Sequence, residues 1–149
     1  MKLLDVNVLV YAHREDAPRH SGYRAWLQDL LSGPEPFGVA DLVLSGFLRV
    51  VTHPKIFDPP TDPDLALQFV QTIRDSAEHA LIAPGAKHWS IFTRLVRESG
   101  CRGNLIADAF LAAIAIESGC TWITTDRDYS RFIGLDWRHP FDKKGGRRN

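Results

Sequence analysis

Cysteine is scarce, net charge is zero and long apolar runs are missing, and each lack removes a class of protein from consideration. Two cysteines, Cys101 and Cys120, cannot staple a disulfide scaffold and show no C-x-x-C spacing for zinc or redox work. Each follows a glycine near an expected helix boundary, which suits a small buried residue better than a ligand. With 18 basic and 18 acidic residues, bulk charge gives no reason to expect nucleic-acid binding; a local basic patch would have to supply it. No run approaches the roughly 20 apolar residues that span a bilayer. Met1-Lys2-Leu3-Leu4 passes straight into an apolar strand and meets Asp5, unlike a signal peptide. No membrane association is expected, and the cytoplasm is the expected location.

Several chemical signatures are missing too. There is no Walker or Rossmann glycine-rich loop and no G-x-S-x-G elbow. The histidines (His13, His20, His53, His79, His88 and His139) are scattered without an H-x-x-x-H or H-E-x-x-H pair, so surface or satisfied core roles are expected of them.

What is present is 149 residues, 44% hydrophobic and 24% charged, enough for one domain with a single core. Leu3–Val6 reads as a short buried strand and "NVLVYAHRE" as a helix. Arg19–Ser32 carries Tyr23, Trp26, Leu27, Leu30 and Leu31 at helical spacing, closed by Gly33, Pro34 and Pro36. "PFGVA" reads as a strand, and Asp41 as the cap of a helix through "DLVLSGFLRVVT". After the proline-rich "HPKIFDPPTDPD", a helix is expected with Leu65, Phe69 and Ile73 on one face. A strand in "HALIAPG", a helix carrying Trp89, Phe92, Leu95 and Val96, and an apolar helix Asn104–Ser118 stopped by Gly119 follow. "TWITT", β-branched and aromatic, is the clearest strand, and "GLDW" a short last one. Strands alternating with helices predict an α/β fold with a short, mainly parallel central sheet flanked by helices on both faces. One domain over 1–141 is expected, with 142–149, basic and glycine-rich, as a flexible tail.

Four acidic stations stand out: Asp5 with Asn7, Asp108, and Asp126 with Asp128. Each lies where an apolar segment begins or ends, and carboxylates there are costly unless something compensates them. In a parallel sheet, ligands bind beyond the carboxyl ends of the strands. Asp5 and Asp126 end strands, and Asp108 opens a helix on that same edge. Singly, Asp108 is as well explained by the helix dipole and Asp126 by a capping role. Together they favour a site for a hard divalent cation, Mg²⁺ or Mn²⁺, held by oxygen donors.

"LLDVNVLVYA", "FLRVVTHPKIF", "GNLIADAFLAAIAIESG" and "TWITTDRDYSRFIGLDWRHP", in this order over nearly the whole chain, resemble the PIN-domain ribonucleases, and among them the VapC toxins of bacterial toxin–antitoxin pairs. The resemblance implies a Mg²⁺- or Mn²⁺-dependent endoribonuclease that cleaves RNA, forms a homodimer, and is silenced by a VapB-like antitoxin. It implies Asp5, Asp108 and Asp126 as metal ligands and catalytic acids. Asp128 would be a further acid, bound directly or through water, and Asn7 and Thr124 would support them.

The family's usual glutamate just before the "FLR"-like segment is here Gly46, with Asp41 about a turn and a half earlier on the helix. That vacancy opens an alternative, a PIN-domain protein that binds RNA or antitoxin but cuts weakly or not at all. Arg94, Arg97, Arg102, Arg127, Lys143, Lys144, Arg147 and Arg148 are candidates for RNA phosphate contacts. A haloacid-dehalogenase-like phosphatase also opens on an acidic strand end. It needs a second aspartate two residues on, and position 7 is Asn7.

Overall fold

In a computed structural model of the chain, residues 1–142 are described; of the expected tail, all but Asp142 lies outside the described residues. Five short strands form one parallel sheet: β1 (Lys2–Leu4), β2 (Phe37–Gly38), β3 (His79–Ala80), β4 (Thr121–Ile123) and β5 (Trp137–Arg138), in the order β3-β2-β1-β4-β5. The connections are α1 (Val6–His13) with α2 (His20–Ser32), α3 (Asp41–Val51) with α4 (Pro63–Arg74), and α5 (His88–Glu98) with α6 (Asn104–Ser118). A 3-10 turn, Arg127–Arg131, links β4 to β5.

The chain runs outward from β1 to β3, then crosses back to β4 on the other side of β1. Right-handed crossovers therefore put α1–α4 on one face and α5–α6 on the other. The packing follows suit: α1 lies on α2 and α3, α3 on α4, and α5 on α6. The reversal creates a crevice beyond the carboxyl ends of β1 and β4, where such sheets bind ligands. Strands buried on both faces read as continuous apolar runs, and Leu3, Leu4, Phe37, Trp122 and Ile123 are all buried.

Local chemistry sets the edges of this frame. Asp5 caps α1, its Oδ1 accepting the Val6 backbone N–H at 2.7 Å. Asp62 caps α4 with Pro63 behind it. Gly119, at φ 64°, closes α6 and bonds back to Ala115 and Ile116, which turns the chain into β4. Both cysteines are free and buried.

Some expectations need correcting. Asp41 is the first residue of α3 and makes no capping bond; it pairs with Arg74 at 2.7 Å. On α4 the buried stripe is Ala66, Val70 and Ile73, while Leu65 in the first turn is 57% exposed. The neighbouring Phe69 is half-buried because it stacks on Phe47 of α3. The last strand begins at Trp137, so only that residue of "GLDW" is strand. Of the large aromatic side chains, Tyr23 and Phe47 are buried in the core, whereas Trp89 is 67% exposed.

Candidate active site

The crevice at the reversal is a cavity of about 650 Å³. Its lining includes Asp5 and Asn7 after β1, Asp126 after β4, Asp108 one turn into α6, and Tyr129 from the 3-10 turn. Three acids drawn from a span of more than a hundred residues thus line one cavity, brought there by strand order.

A hydrogen-bond lattice locks the sheet side of the cavity. The buried Thr124 hydroxyl donates to Asp5 Oδ2 at 2.6 Å, and Asn7 Nδ2 reaches the same oxygen at 3.1 Å. Asn7 Nδ2 also donates to Thr124 Oγ1 at 3.2 Å, and its Oδ1 accepts the Thr125 N–H at 3.3 Å. Thr124 Oγ1 in turn accepts the Asp126 N–H at 3.0 Å. Asn7 and Thr124 therefore tie the end of β1 to the end of β4. The Asp126 side chain also caps the 3-10 turn, Oδ1 accepting the Asp128 N–H at 2.8 Å.

These bonds leave donor capacity facing the cavity. Among the described residues, Asp5 Oδ1 accepts one bond where it has room for two, and Asp126 Oδ2 accepts none. Among the described residues, Asp108 Oδ1 accepts only a long bond from the Tyr129 hydroxyl, at 3.4 Å, and its Oδ2 accepts none. None of the three makes an ion pair among the described residues.

Burial pushes the Asp5 carboxyl up from 3.8 to about 6, against the opposing hydrogen bonds from Thr124 and Val6; the charges of Asp108 and Asp126 push further in the same direction. Asp108 is raised as well, first by burial and then by Asp126. Removal from water outweighs mutual repulsion in both. The Tyr129 phenol is raised by burial and by the surrounding acids, so it stays protonated.

The donor set suits a hard cation: oxygen ligands only, a shared cavity, and a buried carboxylate without a compensating charge. Among the described residues, no three His, Cys, Asp or Glu side chains already stand gathered at metal-holding distance. The acids are spread around the cavity, and an ion would have to draw them inward.

Asp128 stands apart. It is exposed, lies outside the cavity lining, and pairs with Arg131 at 3.4 Å, although its charge is felt at Asp108. Gly46 does line the cavity; a Cβ there would come within 3.0 Å of Val6 Cγ2. Asp41 is not among the lining residues. Of the arginines considered for phosphate contacts, Arg94 is paired with Glu98 at 2.9 Å, and Arg97, Arg102 and Arg127 are exposed outside this cavity. Sequence reasoning passed over two residues. Tyr129, three positions after Asp126, shares its face of a 3-10 turn, a spacing that could have flagged it. Arg49 also lines the cavity, and only the placement of α3 shows it.

A model of the PIN domain matches residues 2–135. Ribonuclease VapC43 of Mycobacterium tuberculosis is 46% identical over 142 residues, covering 95% of this chain and 97% of that protein. Among solved structures, VapBC2 from Rickettsia felis, bound to a promoter DNA fragment, superposes with a TM-score of 0.67 at 18% identity, over 93% of this chain and 97% of that one. VapC20 of M. tuberculosis, a toxin that cleaves the sarcin-ricin loop, gives 0.63 at 16% identity, over 91% and 99%.

Proposed function

The chain belongs to the PIN-domain family, and we propose that it is a VapC-type toxin: an endoribonuclease that hydrolyses RNA phosphodiesters and is held inactive by a VapB-like antitoxin. One observation carries the reading. Asp5, Asp108 and Asp126, from three separate elements, line one cavity at the sheet's reversal and make no ion pair among the described residues. The similarity to ribonuclease VapC43 over nearly the full length supports the same activity.

Asp5, Asp108 and Asp126 would hold Mg²⁺ or Mn²⁺, with Asp128 acting from the rim through water. Bound there, the ion supplies water activation near neutral pH and charge for the phosphoryl oxygens. The chain's own residues do the rest. Thr124 and Asn7 aim the Asp5 carboxylate and restrict its rotation. Tyr129 holds a proton toward Asp108 and closes the floor of the cavity with its ring. Val10, Tyr11, Ile56 and Phe57 form an apolar flank against which a nucleotide base can rest.

The antitoxin and dimer contacts belong to exposed apolar residues such as Trp89 and Ile133, 67% and 66% exposed. Among the described residues no helix is long and apolar enough to cross a membrane, and the protein acts in the cytoplasm on this reading. Residues up to 141 form the single working domain.

Gly46 favours a second reading, a protein that binds RNA but cuts slowly, since one expected acid is missing from the cavity wall. Purified protein incubated with total RNA, with Mg²⁺ or Mn²⁺ against EDTA, separates the two. Metal-dependent cleavage abolished by Asp5→Asn and Asp108→Asn is the expected result. Cleavage that survives both substitutions overturns the assigned site, and binding without cleavage in either metal supports the second reading.

A further inference from the structure

Part of the lining that the carboxylates share is a helix face. Leu42, Ser45, Gly46 and Arg49 of α3 all line the cavity, at the i, i+3, i+4, i+7 spacing of one helical stripe. Arg49 is the one basic residue among those that line it. It is exposed, and its guanidinium has neither an ion pair nor a hydrogen bond among the described residues. Among the described residues Arg14 pairs with Asp16, Arg74 with Asp41, Arg94 with Glu98, Arg131 with Asp128 and Arg138 with Asp136, whereas Arg24, Arg97, Arg102 and Arg127 make no ion pair but lie outside this cavity.

The reason Arg49 is free lies three residues earlier. An acid at i and a base at i+3 pair on a helix surface, and position 46 is where such an acid would stand. A glycine there offers nothing to pair with, and Val6 packs into the space a Cβ would take, 3.0 Å away. The missing acid thus has two consequences: one fewer negative charge in the cavity, and one free positive charge on its wall.

A polyanion approaching three carboxylates meets repulsion that must be offset on the substrate side. A guanidinium is suited to this, since its planar fork matches phosphate oxygens in a bidentate geometry. We propose that Arg49 is the phosphate-binding residue of this cavity, kept free for an RNA phosphate by the glycine at position 46. This rests on the ribonuclease reading and adds to it the residue that seats the substrate backbone.

The test reads binding without cleavage. A fluorescent single-stranded RNA is titrated by anisotropy in EDTA over a salt series, with wild type, Arg49→Gln, Arg49→Lys and Arg24→Gln. Arg24, exposed on α2, lines a different cleft and controls for general loss of charge. Each phosphate contact to single-stranded nucleic acid contributes about 0.7 to the slope of log affinity against log salt. Arg49→Gln should lower the slope by about that amount and weaken binding several-fold at low salt. Arg49→Lys should keep the slope, and Arg24→Gln should match wild type. Wild-type affinity and slope in Arg49→Gln, or an equal loss in Arg24→Gln, overturns the assignment. If wild type cleaves RNA while Arg49→Gln binds like wild type, only the role of Arg49 fails. A wild type that neither binds nor cuts RNA removes the ribonuclease reading along with it.

Discussion

The two walls of the cavity are built on opposite plans. On the sheet side, Asp5, Asn7, Thr124 and Asp126 are bound to one another and to backbone amides at 2.6 to 3.3 Å. On the α3 side, Ser45, Gly46 and Arg49 make no side-chain bond or ion pair among the described residues. The first wall is positioned before any ligand arrives, and its charges are uncompensated. The second is free to meet whatever comes. Preorganised ligands facing an unengaged cation is a division of labour between holding an ion and receiving a polyanion.

Substitution of the cavity's acids should break that division most severely. Asp108→Asn and Asp126→Asn each keep the size of the side chain and remove its charge. Cleavage of RNA in Mg²⁺ or Mn²⁺ should fall by more than about 100-fold, beyond the 10–100-fold typical of residues that only support a ligand. RNA binding in EDTA should persist or tighten as repulsion falls. Equal losses of cleavage and of EDTA binding would mean that the two walls do not divide the work.

The locked wall should also betray itself through pH in the metal-free protein. The Asp5 carboxyl is raised from 3.8 to about 6, so the folded state binds this proton more tightly than the unfolded chain does. The associated stability is present below pH 3.8 and is lost as the pH climbs toward about 6, a change of about 3 kcal/mol. His13 and His79 work the other way: burial lowers both, so they cost stability as the pH falls below 6.5. The diagnostic is therefore the difference between wild type and Asp5→Asn in urea denaturation with EDTA. Wild type should lose ground to the variant between pH 4 and 6.5, and added Mg²⁺ should narrow the gap at pH 7. A difference that stays level across this range would mean that Asp5 does not carry the proton.

How far these walls were legible in the sequence follows from what forms each. Asp5 and Asp126 were readable because they end strands of a parallel sheet, and strand ends share an edge whatever the register. The helices were likewise readable from spacing and from stops such as Gly119. The α4 stripe was misassigned because Leu65 and Ala66 sit side by side on the helix, and hydrophobicity alone favours the leucine that solvent actually meets. Arg49 was illegible for a different reason. Its role depends on where α3 lies over the crevice and on the absence of a partner, and spacing along one helix encodes neither.

Smaller effects test the lattice itself. Thr124→Val preserves shape but removes the hydroxyl that donates to Asp5 at 2.6 Å and accepts from Asp126 at 3.0 Å. Asp5 Oδ2 then keeps only the Asn7 bond and the Asp126 N–H loses its acceptor, which should cost about 1–3 kcal/mol of stability. Metal affinity or activity should drop 10–100-fold, read as a rightward shift of the Mg²⁺ or Mn²⁺ dependence of cleavage. Thr124→Ser, which keeps the hydroxyl, should recover most of the affinity. A serine variant as impaired as the valine one would assign the defect to packing.

Asp128 should give the least response, and it sharpens the boundary of the locked wall. Its side chain is 62% exposed and its nearest charge is Arg131, 3.4 Å away. Its backbone N–H, not its carboxylate, is what engages Asp126. Asp128→Asn leaves that N–H in place, so the 3-10 turn stays capped and stability should move by less than about 0.5 kcal/mol. Loss of a rim charge acting through water should reduce cleavage by under about 10-fold, the lower bound for removing a supporting residue. A loss in cleavage matching that of Asp126→Asn, at unchanged stability, would instead make Asp128 a direct ligand. The short turn would then have to swing its carboxylate inward when the ion binds.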